Sequence, residues 1–268
     1  MTTIPLALTH LRVPEHPGGV LIVGPSLGTA VTPLWAACVE HLPIDLAVVG
    51  WDLPGHGQST PHDEAFTIED LANSVMAATD EIREEATGLV LYAGVSLGGA
   101  VGIALAIDHA HGLDGVVVLD SGAKVGEAGE WRQRADVVRR EGTAPLVDAA
   151  AKRWFTPDAA ARDSTVVTAL LDSLRNVDAP SYARCCEAMA AFDAREALAR
   201  VEVPLLALAG EHDGVAPSSM AEVVAQGTGG TARTIVGAAH LPPAEQPVAT
   251  AREITEFLTG PVAAASTW

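Results

Sequence analysis

The sequence predicts an α/β fold, a mainly parallel β-sheet flanked by helices and interrupted by one helical insertion. Three observations point there. Short apolar runs alternate with helix-length amphipathic stretches through most of the chain. Residues 124–200 break that rhythm with a helical pattern and no convincing strand. A serine between glycines stands where an apolar run gives way to a small-residue helix, the kind of turn that exposes a reactive side chain at a sheet edge.

Each element follows in order. Gly19-Val-Leu-Ile-Val-Gly24 is apolar throughout, as a strand covered on both faces must be, and a helix is expected over about 33–41. Leu46-Ala-Val-Val-Gly-Trp51 is the next strand. It ends in Asp52-Leu-Pro-Gly-His-Gly-Gln-Ser59, a loop punctuated by Pro and Gly. Thr67, with Asp70 three residues on, starts a helix whose Ile68, Leu71, Val75 and Met76 keep helical spacing. Gly88 ends that pattern, residues 89–94 form the central strand, 98–110 a helix and 115–120 another strand. After Pro204 the alternation resumes with a strand at Leu205–Gly210, a helix near 217–225, a strand at 232–236 and a last helix from about 244 to 258. The tail, 261–268, is expected to fray. The chain thus divides into a core, residues 1–123 and 201–268, and an insertion, residues 124–200, read as a helical lid over it.

Composition sets outer bounds. The 268 residues suit one catalytic domain carrying an inserted subdomain. Hydrophobic residues make up 49%, and the mean hydropathy is +0.25, ample for a large core. No run approaches the ~18 apolar residues of a membrane span, and Met1 to His10 lacks the basic start of an export signal. Cys38, Cys185 and Cys186 do not make an even disulfide framework, so reduced thiols and a cytoplasmic location are expected. A formal net charge of −18 argues against nucleic acid or an anionic membrane as partner. The charge is uneven, however. Twelve of the sixteen Lys and Arg lie between Lys124 and Arg200, matched there by twelve acids, while the rest of the chain sets four basic residues against twenty-two acidic ones.

The chemistry centres on Gly94-Val-Ser-Leu-Gly98, a G-x-S-x-G pattern between the central strand and the small-residue helix. A sharp strand-to-helix turn there needs glycines on both sides, because a Cβ would meet the neighbouring strand and helix. It projects the Ser96 hydroxyl from the sheet and sets the Leu97 amide at a helix N-terminus, where it can donate to an oxyanion. A second donor is expected from Gly24-Pro-Ser-Leu-Gly-Thr29, at the Leu27 amide. The hydroxyl needs a base. Among nine histidines, His240 follows the last strand and precedes the last helix, whereas His56, between two glycines, reads as ordering its turn. His10, His16, His41 and His62 read as solvated surface. The acid that orients the imidazole is Asp213, after the Leu205–Gly210 strand, or its rival Asp120 at the end of the preceding strand. Asp213 is preferred because its loop and His240 then come from neighbouring strands.

The loops Pro25-Ser-Leu-Gly-Thr29, Asp52 to Ser59 and Gly94-Val-Ser-Leu-Gly-Gly99 resemble those of the α/β-hydrolase superfamily. The insertion is similar to that of one family within it, the 3-oxoadipate enol-lactonases of the β-ketoadipate pathway. Lys124-Val-Gly, Trp131 with Arg134, Arg153-Trp-Phe-Thr-Pro157, Tyr182 with Cys186, Asp193-Ala-Arg-Glu196 and Glu245-Gln-Pro247 carry this likeness. The resemblance implies an eight-stranded type of sheet with the cap after the sixth strand, a catalytic triad and no metal or other cofactor. Its implied substrate is a small anionic enol-lactone. Two departures stand out: Pro242-Pro243 replaces the family's usual Ser-Asn, and Asp120 stands where Asn is commoner.

An anionic substrate is repelled by a chain of charge −18 unless a local cation receives it, and the insertion holds most of the cations. Arg134 is the candidate grip on a substrate carboxylate, with Trp131 and Trp154 as apolar walls. Alternatively, Arg134 and Arg153 simply pair with acids along solvated helix faces. Other lid-bearing hydrolases remain open: esterases, carbon–carbon bond hydrolases and cofactor-free haloperoxidases. So does a hydrolase-fold protein that only binds ligands.

Overall fold

The computed structural model describes residues 4–265, the Arg162 side chain excepted. Seven strands form one sheet: β1 (Leu8–Arg12), β2 (Gly19–Gly24), β3 (Leu46–Trp51), β4 (Leu89–Val95), β5 (Gly115–Leu119), β6 (Leu205–Gly210) and β7 (Thr231–Ile235). Their spatial order is β1-β3-β2-β4-β5-β6-β7, and β1 alone runs antiparallel. Every residue of β2, β5 and β6 is buried, the mark of a parallel sheet covered on both faces. The expected strands are all present. β1 was not legible, because LTHLR is short, polar in places and only half-buried at the sheet edge. Eight strands were implied. Ahead of β2 the described chain makes only β1 before Pro14 and Pro17 carry it into β2, so the helical insertion follows the fifth strand.

Helices α1 (Val31–Val39), α2 (Ile68–Ala78), α3 (Asp80–Glu84) and α4 (Leu97–Asp108) belong to the first half of the core. The Thr67–Asp70 pair forms a complete capping box: Asp70 N donates to Thr67 Oγ1 at 3.1 Å, and Thr67 N donates to Asp70 Oδ2 at 3.0 Å. Such a cap contributes about 1 kcal/mol. Between β5 and β6 come α5 (Ala128–Glu141), α6 (Val147–Trp154), α7 (Pro157–Arg162), α8 (Ser164–Arg175) and α9 (Ala179–Ala191), with no strand among the described residues. In this cap α5 packs along α9 and α6 against α8, and α8 also reaches α1 of the core.

The start of α9 docks on the Asp52–Ser59 loop. Asp178 N donates to Gly55 O at 3.1 Å, and His62 N donates to Ser181 Oγ at 2.9 Å. His62 is therefore half-buried, with its Nε2 enclosed and its ring beside Phe66, rather than solvated.

After β6, α10 (Ser218–Thr228) leads to β7. The single last helix expected is two, α11 (Pro242–Glu245) and α12 (Pro247–Phe257). Pro247 lacks the amide that would continue α11 and so starts a new helix instead. A wide turn at Leu258–Val262 and α13 (Ala263–Ala265) follow, with Val262 fully buried. Val262 is thus packed into the core while residues 261 and 263–265 are exposed, and 266–268 of the expected frayed tail lie outside the described residues. The three cysteines are free and buried. No helix among the described residues is long and apolar enough to cross a membrane.

Candidate active site

Four chain segments meet at the C-terminal ends of β2, β4, β6 and β7. The turn after β4 carries Ser96 at φ 56° and ψ −113°, a conformation that costs a non-glycine residue free energy and that concentrates at functional sites. The neighbourhood holds it there. Ser96 N donates to Leu119 O of β5 at 2.8 Å, and Gly98 N donates to Pro25 O at 3.0 Å. Tyr92 Oη, buried in β4, donates to Gly98 O at 2.8 Å. A Cβ on Gly94 would fall within van der Waals contact of the Gly98 carbonyl, so the turn closes only with glycine at 94. Ser96 itself is half-buried, the exposure expected of a nucleophile that a substrate must reach.

The bond from Gly98 to Pro25 draws the loop after β2 onto the start of α4, bringing together both expected oxyanion donors. Leu97 is the first residue of α4, so its amide has no acceptor within the helix. In the other loop Ser26 N donates to Thr29 Oγ1 and Thr29 N to Ser26 O, and the Leu27 amide lies between them. Gly28 sits at φ +90°, a left-handed conformation, with Leu174 and Trp154 of the cap closing over its Cα.

His240 Nδ1 donates to Asp213 Oδ2 at 2.8 Å, with both side chains almost wholly enclosed. Asp213 Oδ1 accepts the Val215 amide at 2.7 Å. Burial pushes the Asp213 carboxyl up. The hydrogen bond and charge of His240 and the Val215 amide outweigh it, and the net shift is below the usual carboxylate range. An ionised Asp213 fixes the proton on Nδ1 and leaves Nε2 as the basic nitrogen. Asp120, the rival acid, lies beside this pair; one ligand atom from each of Asp120, Asp213 and His240 falls within 4.8 Å of the others. Its hydrogen bond goes elsewhere, however: Oδ1 accepts Gly210 N at 2.7 Å.

Glu245 is a positioning residue whose role the sequence did not disclose. Its buried carboxylate accepts amides from Ala239 at 2.8 Å and Leu241 at 3.3 Å, on either side of His240, and from Thr156 of the cap at 2.8 Å. His240 N in turn donates to Trp154 O at 3.2 Å. The histidine loop is therefore clamped to the cap. Burial raises the Glu245 carboxyl, against the three amides that stabilise its charge. The sequence had offered Glu245 only as part of the Glu245-Gln-Pro247 likeness and by its place four residues after Leu241, neither of which disclosed the clamp.

Among the expected substrate contacts, Trp131 is half-buried and its Nε1 donates to Val125 O at 2.7 Å. The Arg134 guanidinium lies 5.6 Å from the Trp131 ring centre and 5.5 Å from that of Tyr182. Such cation–π contacts orient a guanidinium without neutralising it. Trp154, expected as a pocket wall, is only 5% exposed and packs edge-on to Phe155 and against Gly28. It backs the loop after β2 rather than facing solvent.

Arg139, Arg175, Arg184, Arg195 and Arg200 make ion pairs, but Arg134 and Arg153 make none among the described residues. The solvated-pair alternative does not hold for these two. Partial burial first, and then the neighbouring Arg134, lower the Arg153 guanidinium from its ordinary value. Both line a cavity of about 580 Å³ with Trp131, Leu146, Gly214 and Val215. On its other side Arg153 lines a second cavity, of about 540 Å³, with Thr156, His212, Gly214 and Ala239. Each cavity reaches the immediate neighbours of Asp213 or His240.

Comparison with known proteins agrees with this geometry. A family model described as "Serine aminopeptidase, S33" matches residues 42–246. The chain is 32% identical over 250 residues to 3-oxoadipate enol-lactonase 2 of Acinetobacter baylyi, covering 93% of this chain and 92% of that one. The crystal structure of the enol-lactonase from Burkholderia xenovorans superposes with a TM-score of 0.88 at 30% identity, over 95% and 96% of the two chains. A malate-bound thermophilic esterase from Thermogutta terrifontis gives 0.85 at 25% identity, over 95% and 93%. The strained serine turn, the parallel sheet and these matches together make the chain a hydrolase that belongs to the α/β-hydrolase family and resembles its 3-oxoadipate enol-lactonases.

Proposed function

We propose that this hydrolase opens a small anionic lactone, 3-oxoadipate enol-lactone, through a Ser96–His240–Asp213 acyl-enzyme mechanism. The observation that carries the anionic part is the Arg134–Arg153 pair: two guanidinium groups that make no ion pair among the described residues line one cavity beside the Asp213 loop, where Glu130 is the one acidic lining residue, leaving a net positive lining. Holding like charges together is unfavourable, and a ligand carboxylate between or beside them relieves it while accepting two parallel hydrogen bonds. The resemblance to enol-lactonases supports the lactone itself.

In the reaction His240 Nε2 takes the Ser96 proton as Oγ attacks the ring carbonyl. The tetrahedral oxyanion receives the Leu27 and Leu97 amides. Collapse breaks the ring C–O bond, and His240 returns the proton to the departing enolate oxygen. That group stays tethered as the acyl-enzyme, and the enol tautomerises to the ketone. A water molecule, deprotonated by His240, then attacks the ester and releases 3-oxoadipate with Ser96 restored.

A second reading is an esterase with the same machinery but a different acyl group. Its supporting observation is that Pro242 and Pro243, both buried at the start of α11, offer no polar side chain next to the His240 loop. Turnover of the enol-lactone set against simple aryl esters decides between them. A kcat/KM for the lactone well above that for aryl esters is expected, and a preference for neutral esters overturns the lactone. Fluorophosphonate labelling that survives Ser96→Ala overturns the nucleophile.

A further inference from the structure

Ser96 and Asp120 are the two non-glycine residues with positive φ among the described residues, at 56° and 45°. They end adjacent strands, and Ser96 N is bonded to Leu119, the residue before Asp120. Strain of this kind persists only where the surroundings impose it. Asp120 is imposed firmly: its N donates to Leu208 O at 2.9 Å, and its Oδ1 accepts Gly210 N at 2.7 Å. The other oxygen, Oδ2, is fully buried with no ordinary hydrogen-bond partner. It belongs to a carboxyl group that converges on Asp213 and His240.

We propose that Asp120 is a positioning residue that keeps its proton and donates it from its carboxyl to the Asp213 carboxylate. The two carboxyls then share one proton and one negative charge, and Asp213 presents that charge to His240. This rests on the Ser96–His240–Asp213 reading above, but not on the lactone.

The ionisable groups acting on Asp120 are Asp213 and, more weakly, Glu245, both acidic; His240 gives its hydrogen bond to Asp213, not to Asp120. Two adjacent buried carboxyls cannot both ionise under these conditions. Asp213 has His240 and the Val215 amide to stabilise its charge. Asp120 has one amide, so burial first, and repulsion by Asp213 second, push its carboxyl well above the usual range. A proton on Oδ2 turns the orphan oxygen into a donor within the same cluster as the Asp213 carboxylate, so the unpartnered oxygen gains a partner. The added bond holds Asp213 in register with His240 and lowers its basicity, which keeps the Nδ1 proton on the imidazole.

The test uses the full chain with p-nitrophenyl acetate as substrate. Wild type should show a protonated-carboxyl C=O stretch in the infrared at pH 7, sensitive to D₂O and absent from Asp120→Asn. Asparagine tolerates the left-handed backbone, and its amide can still accept from Gly210 N and donate to Asp213. That variant should retain a kcat within about fivefold of wild type. Asp120→Gly also fits the backbone but lacks the donor. It should lose about 10- to 100-fold in kcat at nearly constant KM, the range for a lost hydrogen bond to a charged group. Absence of the infrared band, or an Asn variant as impaired as the Gly variant, overturns the proposal. If Asp120→Gly does not fold, the band and the Asn variant still decide. Ser96→Ala runs alongside: an active Ser96→Ala overturns the catalytic reading and this inference with it, whereas an inactive one with no band overturns the shared proton alone.

Discussion

Acidification from pH 7.5 to 4 attacks the seam between core and cap through a histidine that the fold keeps neutral. His56 is 1% exposed, its Nδ1 donates to Pro54 O at 2.8 Å, and its Nε2 has no partner. Its ring stacks on Tyr182 of the cap, 6.1 Å away and tilted by 17°, and Tyr182 in turn carries the Arg134 guanidinium. Burial lowers His56 from 6.5 to about 4, although the Pro54 carbonyl and Asp178 act the other way. Because the folded value is depressed, no penalty applies above pH 6.5. As pH falls from about 6.5 to about 4, the unfolded chain takes up a proton that the folded chain refuses, and stability is lost. At about 1.4 kcal/mol per unit, the loss across that window is about 3 kcal/mol. Urea unfolding at a series of pH values measures it, and His56→Asn, which can keep the donor to Pro54, isolates it from carboxylates titrating in the same range. Wild type should lose about 3 kcal/mol more than the variant between pH 7.5 and 4. Parallel stability curves for the two proteins would refute the account of a buried, neutral His56.

Arg134→Ala should raise KM for an anionic lactone about tenfold or more, with kcat largely kept and the KM of a neutral aryl ester little changed. Arg153→Ala, at a more exposed site, should do the same more weakly, and equal effects on anionic and neutral substrates would contradict an anion grip. Gly94→Ala forces a methyl group against the Gly98 carbonyl. It should cost about 1–3 kcal/mol of stability by thermal melting, and a larger share of the hydrolysis rate, because the displaced atoms carry Ser96.

Particular residues show how far the linear chain could be read. The strands β2 to β6 were legible because each is an apolar run, a pattern set by burial on both faces, whereas β7, a polar and largely exposed edge strand, was placed by its position before the histidine loop. β1 was not, since an edge strand with one half-buried face leaves no such run. Thr67 and Asp70 announced their helix start because capping is a local interaction three residues long. Pro247 carried the break in the last helix, but the surrounding apolar spacing masked it.

The sequence by itself determined the parts whose physics is local: the strand–turn–helix that bends at Gly94 and Gly98 around Ser96, and the loops that end in Asp213 and His240. It also determined that most cations lie within residues 124–200. Only the tertiary structure decided which groups meet. It chose Asp213 over Asp120 as the hydrogen-bond partner of His240, set Trp154 behind the Gly28 loop, and left Arg134 and Arg153 side by side along one cavity with no ion pair among the described residues. It also made Glu245 the clamp between the histidine loop and the cap. These depend on distances between residues far apart in the chain, and on a desolvation that no spacing pattern encodes.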